Sequence, residues 1–218
     1  MSREESMNMT VAVIGTGKMG SGLARLLASK GIDVAIGHKD PTKAAALAQE
    51  IGSRAQAGGT ETVAKLADIV IVAVPYSSVA DALKGAGDLT GKIVVDISNP
   101  ITPDFKALTV GYTTSAAEEI QKLIPGAKVV KAWNTIFAEL LPPEAHEGRA
   151  APVQVFIAGD DEAAKKKVSD LVKATGFEPV ESGALSNCRY LEPVGELNIH
   201  FGFFLGWGTS AAPAWIRN

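Results

Sequence analysis

Three glycines spaced as G-x-G-x-x-G lie where a predicted strand ends and a predicted helix begins, and this pattern is typical of a loop that binds phosphate. Gly15, Gly17 and Gly20 directly follow the apolar segment Thr10–Ile14. The first glycine of such a loop permits a tight turn, the second lets a pyrophosphate approach the backbone, and the third lets helix and strand pack closely. The helix N-terminus adds unpaired N–H groups and the positive end of its dipole. The pattern predicts a dinucleotide site; a purely structural turn is the alternative.

The residues after the second predicted strand indicate which dinucleotide binds. Sites for NAD usually place Asp or Glu about 20 residues after the glycine loop, where it binds the ribose 2′-hydroxyl. Here His38, Lys39 and Asp40 follow the strand, with Lys43 one turn later. Asp40 precedes Pro41 and is therefore predicted to cap the next helix. Up to three cationic groups therefore stand here, and they favour the 2′-phosphate of NADP(H). In the alternative, Asp40 binds the ribose of NAD and the lysines are solvated.

Two asparagines are predicted to meet the nicotinamide half of the dinucleotide. Asn99 and Asn134 each follow a predicted strand, and open α/β sheets bind ligands at the carboxyl ends of their strands. Asparagine before proline also forms turns, so turn formation is an equal alternative for Asn99, which precedes Pro100. For Asn134 we favour a contact with the ligand.

Side chains that could move a proton are scarce. Of the three histidines, His38 belongs to the phosphate cluster, His146 lies in a Pro- and Glu-containing loop, and His200 lies in an apolar helix. Reduction of a carbonyl needs a proton donor. Hydride transfer between two rings mainly needs close, parallel alignment and the exclusion of water. The sequence therefore predicts no catalytic side chain and favours ring-to-ring hydride transfer.

The elements that position these residues alternate between short β-branched runs and helical segments, which predicts a Rossmann-type α/β fold with a doubly wound, mainly parallel sheet. We expect an NADP-binding domain over residues 1–182 and a small helical C-terminal extension over residues 183–218. Strands are predicted at residues 10–14, 34–36, 69–74, 92–97, 128–132, 153–158 and 177–180. Helices are predicted at residues 18–30, 41–52, 115–123, 160–175 and 185–205, with another starting over residues 77–83.

Several further segments, in this order, make the chain resemble the F420-dependent NADP oxidoreductases. Besides the glycine turn and the cations after the second strand, they are Val-Pro-Tyr at 74–76, Asp-Ile-Ser-Asn-Pro at 96–100, Val-Lys-Ala-Trp-Asn-Thr-Ile at 130–136, Gly-Asp-Asp at 159–161 and Ser-Gly-Ala-Leu-Ser-Asn-Cys-Arg at 182–189. The NADPH-binding domain of the STEAP metalloreductases is similar too, especially at residues 96–100 and 131–135. The aromatic tail after residue 197 does not match the archaeal members, so the resemblance leaves the acceptor open.

The resemblance implies hydride transfer between NADP(H) and a flavin-like or deazaflavin (F420-type) acceptor lying over the nicotinamide. It also implies which residues form the site. The phosphates would lie on Gly15, Thr16, Gly17, Lys18, Met19 and Gly20, and the 2′-phosphate on His38, Lys39 and Lys43. The nicotinamide side would consist of Val74, Pro75, Tyr76, Asn99, Pro100, Ala132, Asn134 and Thr135, and the acceptor pocket would include Ile136, Asn187 and Arg189. Arg189 would bind an acidic acceptor tail; a surface ion pair is equally compatible with the sequence.

Aromatic side chains gather near the C-terminus among glycines, namely Phe201, Phe203, Phe204, Trp207 and Trp215. Such residues can wall a pocket for a planar group, form core, or form a face for self-association. We expect a face that joins two copies into a homodimer and also walls the acceptor pocket. Membrane attachment is not favoured, because the segment is short and lacks basic flanks.

The composition argues against several classes of function. The 218 residues carry a net charge of −3, so no overall basic field attracts nucleic acid or an anionic membrane. The apolar runs are shorter than the roughly 20 residues of a membrane span, and residues 1–9 lack the apolar core of a secretory signal. We therefore expect a cytoplasmic protein. The single cysteine, Cys188, is predicted to be a buried thiol, and no Cys/His spacing predicts a metal site.

Two other functions stay open at this point. A sensor that binds NADPH without turnover would also need no catalytic side chains. Reductases of small imines or carbonyls resemble the N-terminal half, but they carry a long all-helical second domain, and the chain after Phe177 is too short for one unless a dimer builds it jointly.

Overall fold

Eight β-strands run through the part of the chain that the computed structural model describes, residues 9–149 and 151–216. They are β1 (Thr10–Ile14), β2 (Asp33–Gly37), β3 (Ala55–Gly58), β4 (Ile69–Val72), β5 (Ile93–Asp96), β6 (Lys128–Lys131), β7 (Gln154–Gly159) and β8 (Glu178–Glu181). They form one sheet in the order β3-β2-β1-β4-β5-β6-β7-β8. The first six strands are parallel, β7 is antiparallel to β6, and β8 is parallel to β7. The predicted Rossmann-type fold is confirmed.

Seven α-helices cover both faces of this sheet. They are α1 (Lys18–Ser29), α2 (Pro41–Ile51), α3 (Thr60–Leu66), α4 (Val79–Ala86), α5 (Ala116–Leu123), α6 (Glu162–Ala174) and α7 (Cys188–Ile199). One apolar core lies between the sheet and helices α1, α2 and α6, and a second lies between the sheet and helices α3, α4, α5 and α7. This double cover explains why strands such as β4 consist of buried apolar residues only. A π-helical turn, His200–Phe204, extends α7.

Side-chain caps fix where several helices begin. Asp40 accepts a hydrogen bond from the Thr42 amide at 3.0 Å and so caps α2, as its place before Pro41 predicts. Ser115 caps α5 in the same way, and the carboxylate of Asp161 accepts from the Ala164 amide at 2.8 Å at the start of α6. Aspartate and serine at these positions are ordinary sequence signals for the start of a helix. The predicted starts of these three helices therefore agree with the structure within two residues.

Two elements were not predicted, β3 and α3. β3 is an edge strand of four residues that holds only alanine, glutamine and glycine, so it lacks the β-branched residues that indicate a strand. α3 spans seven residues, too few for a helical repeat to stand out. Among the described residues, no helix combines the length and apolar character needed to cross a membrane. The expectation that residues 1–9 are not a secretory signal concerns residues that, up to residue 8, lie outside the described chain.

The glycine turn owes its shape to two very close backbone approaches. Gly15 has a φ of +115°, and a Cβ on it would lie 2.3 Å from the carbonyl oxygen of Ala73. A Cβ on Gly20 would lie 2.1 Å from the carbonyl oxygen of Gly15. Gly17 differs, because nothing lies within 4 Å of the position its Cβ would take. Two of the glycines therefore let α1 pack on the sheet, and the third leaves open space in front of the helix N-terminus.

This difference gives a test of the turn. Gly20→Ala places a methyl group against backbone and should lower the free energy of unfolding by about 3 kcal/mol. Gly17→Ala meets no atom and keeps an extended backbone, so its effect should stay below about 1 kcal/mol. Urea unfolding followed by tryptophan fluorescence measures both variants. Equal stability of the two variants would contradict the assigned packing.

Candidate functional site

Three adjoining clefts lie along the carboxyl edge of the parallel strands. The outer cleft, of about 430 Å³, lies beyond β2 and is lined by His38, Lys39, Thr60, Ser78 and Asp81, among others. The central cleft, of about 640 Å³, lies over the glycine turn and includes Gly17, Lys18, Met19, Tyr76, Asn99 and Phe105. The inner cleft, of about 240 Å³, is lined by Asn134, Thr135, Ile136, Phe137, Gly195 and Phe203, among others. Val74 and Pro75 are shared by the outer and central clefts, and Met19 and Asn99 by the central and inner clefts.

The outer cleft holds a histidine and a lysine at the end of β2, where an NAD site would place a carboxylate, and one carboxylate, Asp81, elsewhere in its wall. Its wall contains His38 and Lys39, whereas the carboxylate of Asp40 accepts hydrogen bonds from the hydroxyl of Thr42 at 2.7 Å and from its amide at 3.0 Å. These bonds hold the pKa of Asp40 below its usual value. Both bonds end on Oδ1 of Asp40, so this carboxylate caps α2, as its place before Pro41 predicts.

Lys43 lies on the exposed first turn of α2 and does not line the outer cleft. The structure therefore supports a contact with the 2′-phosphate more for Lys39, which lines the cleft, than for Lys43. Sequence reasoning overlooked Thr60, Ser78 and Asp81 in this wall. Thr60 opens the unpredicted helix α3, and the other two follow the strand β4 through a turn, so their approach depends on the fold rather than on a local motif.

The N-terminus of α1 faces the central cleft. Its N-cap residue, Gly17, supplies no side-chain hydrogen bond to the first amides, and the first N–H groups of a helix have no partner within the helix. Lys18 at the same end extends into solvent, where its ammonium lies 3.4 Å from Glu139. Amide donors, the helix dipole and an exposed ammonium together make this position suited to a pyrophosphate.

Asn99 and Asn134 form one hydrogen-bonded unit between the central and inner clefts. The Nδ2 of Asn99 donates to the Asn134 carbonyl at 2.7 Å, and the Nδ2 of Asn134 donates to Asn99 Oδ1 at 2.9 Å and to the Leu191 carbonyl at 3.0 Å. Turn formation alone therefore does not describe Asn99. Gly195 of α7 packs directly against the pair, since a Cβ there would lie 2.6 Å from Asn99 Nδ2.

Two buried acceptor or hydroxyl groups of the inner cleft have no hydrogen-bond partner, Asn134 Oδ1 and Thr135 Oγ1. Buried polar atoms of this kind are uncommon in folded proteins and indicate a ligand or water that completes them. The amide group of a nicotinamide carries one N–H₂ donor and one oxygen acceptor, which match these two atoms. The residues at this end therefore fit a dinucleotide cofactor. Trp133, just before them, is buried and has a φ of +53°, a costly conformation that turns the chain into the cleft.

The inner cleft is mainly apolar on its outer side. Ile136 lines it, as predicted, together with Phe137 and Phe203. The ring of Phe203 meets the edge of Phe137 at a centroid distance of 5.5 Å and that of Phe105 at 6.3 Å. Phe203 thereby links the loop after β5 with the loop after β6. A planar group could pack against these rings.

A buried ion cluster lies beneath the two asparagines, and sequence reasoning missed it. Lys131, Asp96 and Glu192 are at most 1% exposed, and Lys131 Nζ lies 2.8 Å from Glu192 Oε1. Burial alone would lower the pKa of Lys131, but the two carboxylates raise it above its usual value. Burial raises the pKa of Glu192, although Lys131 acts in the opposite direction. The one available signal was a lysine and an aspartate at the ends of apolar strands.

Asn187 and Arg189, which were expected in the acceptor pocket, lie outside all three clefts. Their side chains bind other parts of the chain instead. Asn187 donates to the Ser182 carbonyl at 2.8 Å, and Arg189 forms a two-point ion pair with Glu118. Pro100 and Ala132 are buried and, against expectation, line none of the three clefts. His200 lies 3.3 Å from Glu196 and beside the ring of Phe204, and His146 lies against Phe177 and the Leu140 carbonyl.

Comparison with known proteins agrees with this geometry. Residues 10–100 match the protein family described as NADP oxidoreductase, coenzyme F420-dependent. The F420-dependent NADP reductase of Methanothermobacter marburgensis is 31% identical over 210 residues, which cover 88% of this chain and 92% of the relative. A solved structure of a candidate F420-dependent NADP reductase from Arthrobacter sp. FB24 has a TM-score of 0.87 at 31% identity, and the match covers 96% of this chain and 100% of that one.

A second group of relatives is longer. The metalloreductase STEAP3 of Rattus norvegicus is 33% identical over 184 residues, or 84% of this chain, but these residues make up only 36% of that protein. The chain therefore spans about a third of the length of the metalloreductases that it matches. The archaeal reductase, by contrast, is matched over almost its full length at above 30% identity. The chain belongs to the F420-dependent NADP reductase family, a family of NADP-dependent oxidoreductases.

Proposed function

We propose that this protein transfers a hydride between NADP(H) and a flavin-like or deazaflavin acceptor of the F420 type. One observation carries the proposal: the outer cleft with Lys39 in its wall, the helix N-terminus and the unpartnered polar atoms of the inner cleft lie in one row along the sheet edge. The 2′-phosphate, the pyrophosphate and the nicotinamide of NADP(H) come in the same order. Membership of the F420-dependent NADP reductase family supports the same assignment.

Each part of the row has a distinct task in this proposal. Lys39, with His38 beside it, binds the 2′-phosphate; the lysine acts as a point charge, so binding weakens as salt rises. The first amides of α1 bind the pyrophosphate. Asn134 and Thr135 hold the nicotinamide amide and so fix which face of that ring turns outward. The bound cofactor supplies or accepts the hydride.

The acceptor is assigned from the walls of the inner cleft. The apolar residues Ile136, Phe137 and Phe203 suit a planar ring that stacks over the nicotinamide and excludes water. Among the described residues that line this cleft, the titratable ones are Lys18 and Glu139, which pair at the rim. Reduction of a ring acceptor fits such a wall, because alignment supplies most of the acceleration and the accompanying proton comes from solvent. Reduction of an imine or carbonyl would need a donor deeper in the cleft.

An acceptor screen tests the enzymatic part of this proposal. The protein is mixed with NADPH in the absence of oxygen, and F420, FMN or riboflavin is added while the nicotinamide absorbance is followed. We expect steady oxidation of NADPH with F420 or with one of the flavins, and none without an acceptor. Binding of NADPH, seen by its fluorescence, without oxidation by any of them would favour the sensor and contradict the proposal.

A pair of lysine variants tests the assignment of the outer cleft. Lys39→Ala should raise the Kd for NADPH about tenfold and leave the Kd for NADH unchanged, because only NADPH carries the 2′-phosphate. Lys43 lies four residues further on, in the first turn of α2, and does not line the cleft. Lys43→Ala should therefore change the Kd for NADPH less than Lys39→Ala does. Titration of the cofactor's fluorescence measures the Kd of NADPH and of NADH for wild type and for each variant. Equal losses for NADPH and NADH in Lys39→Ala would contradict the choice of NADP.

We also propose that a second copy of this chain covers the aromatic tail. From Phe201 to Ile216 the sequence has no charged residue, and several of its large apolar side chains are exposed, among them Leu205 at 61% and Trp215 at 70%. A patch without charge has nothing to pair with a charged partner, whereas a two-fold axis places it against itself. Phe203 belongs both to this face and to the inner cleft, so the second copy would complete the acceptor wall.

Sedimentation equilibrium tests the dimer with a matched pair of variants. Leu205→Asp places a charge in the tail, and Leu123→Asp places one at a leucine of α5 that is 58% exposed, close to the 61% of Leu205. We expect wild type and Leu123→Asp to sediment as dimers, and Leu205→Asp as a monomer. A wild-type protein that stays monomeric over the concentrations of the experiment would contradict the dimer.

A further inference from the structure

One buried ammonium group joins the three elements that surround the nicotinamide end of the site. Lys131 lies at the end of β6. Its Nζ donates to Oδ2 of Asp96, the last residue of β5, at 2.5 Å, and to the carbonyl of Ser98, two residues after that strand, at 2.8 Å. It also lies 2.8 Å from Glu192 Oε1 on α7. Lys131 is fully buried. Its three partners use the directions available to an ammonium group.

Each contact of this ammonium lies next to a residue that shapes the cleft. Ser98 directly precedes Asn99, and its amide and hydroxyl donate to Asp96 Oδ1 at 2.9 Å and 2.7 Å. Ser98 is therefore held by Asp96 through its amide and hydroxyl and by Lys131 through its carbonyl. Lys131 itself precedes Asn134 by three residues, across the turn at Trp133.

The third contact fixes the helix behind the asparagines. The residue before Glu192, Leu191, accepts from Asn134 Nδ2 at 3.0 Å, and Gly195, one turn later, packs on Asn99. Glu192 also accepts hydrogen bonds from the amides of Ala116 at 2.8 Å and Ala117 at 3.2 Å. The cluster contains two carboxylates and one ammonium, and the N-terminus of α5 thereby balances the second negative charge. The cluster is thus closed on every side by donors and acceptors of the fold.

A buried ion pair of this kind is a poor source of stability, because removing the charges from water costs about as much as their attraction returns, and apolar residues of the same volume often stabilise as well or better. Removing only one member is costly. What such a cluster provides is fixed geometry. Here the geometry belongs to the two asparagines and to the unpartnered atoms Asn134 Oδ1 and Thr135 Oγ1.

We propose that Lys131 is a positioning residue for the nicotinamide half of the site: its contacts with Asp96, Ser98 and Glu192 hold Asn99 and Asn134 in the arrangement that binds the nicotinamide amide. This inference rests on the proposed NADP(H) function. Lys131 touches no part of the outer cleft, so it has no role in binding the adenosine half. A ligand that carries only the adenosine half can therefore be compared with the whole cofactor. This comparison separates the positioning role of Lys131 from a general effect on folding, which would weaken both ligands.

The test compares two ligands, 2′,5′-ADP and NADPH. The first carries only the adenosine half, and the second carries both halves. In Lys131→Met, the Kd for 2′,5′-ADP should stay within about twofold of wild type, whereas the Kd for NADPH should rise about tenfold, as expected for the loss of oriented hydrogen bonds. The turnover number with the best acceptor should fall as well, at saturating NADPH. Isothermal titration and steady-state kinetics measure these quantities.

Lys128→Met is the matched control. It removes a lysine from the same strand, three residues earlier, whose ion pair with Asp161 is partly exposed, and both Kd values should equal those of wild type. Because Lys131→Met leaves two buried carboxylates without a cation and could fail to fold, Glu192→Gln serves as a milder variant. It keeps the side-chain volume and the Lys131–Asp96 pair, and it should raise the Kd for NADPH about threefold with no change for 2′,5′-ADP.

The outcomes are distinct. Selective loss of NADPH affinity in Lys131→Met, or in Glu192→Gln if the former does not fold, supports the positioning role. Equal changes for both ligands, or no change for either in a folded variant, overturn it and leave the proposed function intact. A wild-type protein that binds neither ligand overturns the NADP(H) site itself, and this inference with it.

Discussion

The closeness of helix α1 to the sheet is the constraint on which the site depends. Gly15 and Gly20 let backbone meet backbone at distances that no side chain would allow, with a Cβ at Gly20 only 2.1 Å from a carbonyl oxygen. As a result the N-terminus of α1 lies at the carboxyl edge of the parallel strands. The other parts of the site lie on either side of this helix N-terminus. The residues beyond β2, with Lys39 among them, lie to one side, and the asparagines beyond β5 and β6 lie to the other. The strand order β2-β1-β4-β5-β6 sets this sequence of positions.

The two ends of the site obey different physical rules. At the outer end Lys39 is exposed, so it contributes charge that salt can screen and a side chain that can reorient. The inner end is buried, and there a lysine is used in the opposite way, as a fixed centre that three partners enclose. This division suits a ligand whose one end is a phosphate and whose other end is a ring that must be held in one orientation for hydride transfer.

The parts of this structure that were predictable depend on local rules. Asp40 before Pro41 indicates a cap, and it is one; the β-branched run at β4 indicates a buried strand, and it is one. The glycine turn is local too. Two features were not predicted. The strand β3 has no sequence signal for a strand, and the Lys131 cluster depends on long-range contacts, since it joins residues up to 96 positions apart, from Asp96 to Glu192. The expected role of Arg189 in the acceptor pocket also depended on a distant neighbour, because Glu118 pairs with it.

A crystal structure of the protein with NADPH would test whether the glycine turn binds the pyrophosphate of NADP(H) and whether Lys39 binds its 2′-phosphate. We expect electron density for the pyrophosphate against the amides that follow Gly17, a phosphate beside Lys39, and a nicotinamide amide at Asn134 and Thr135. Crystals grown or soaked with NADPH in which the turn is empty, or in which the nucleotide lies elsewhere, would contradict it.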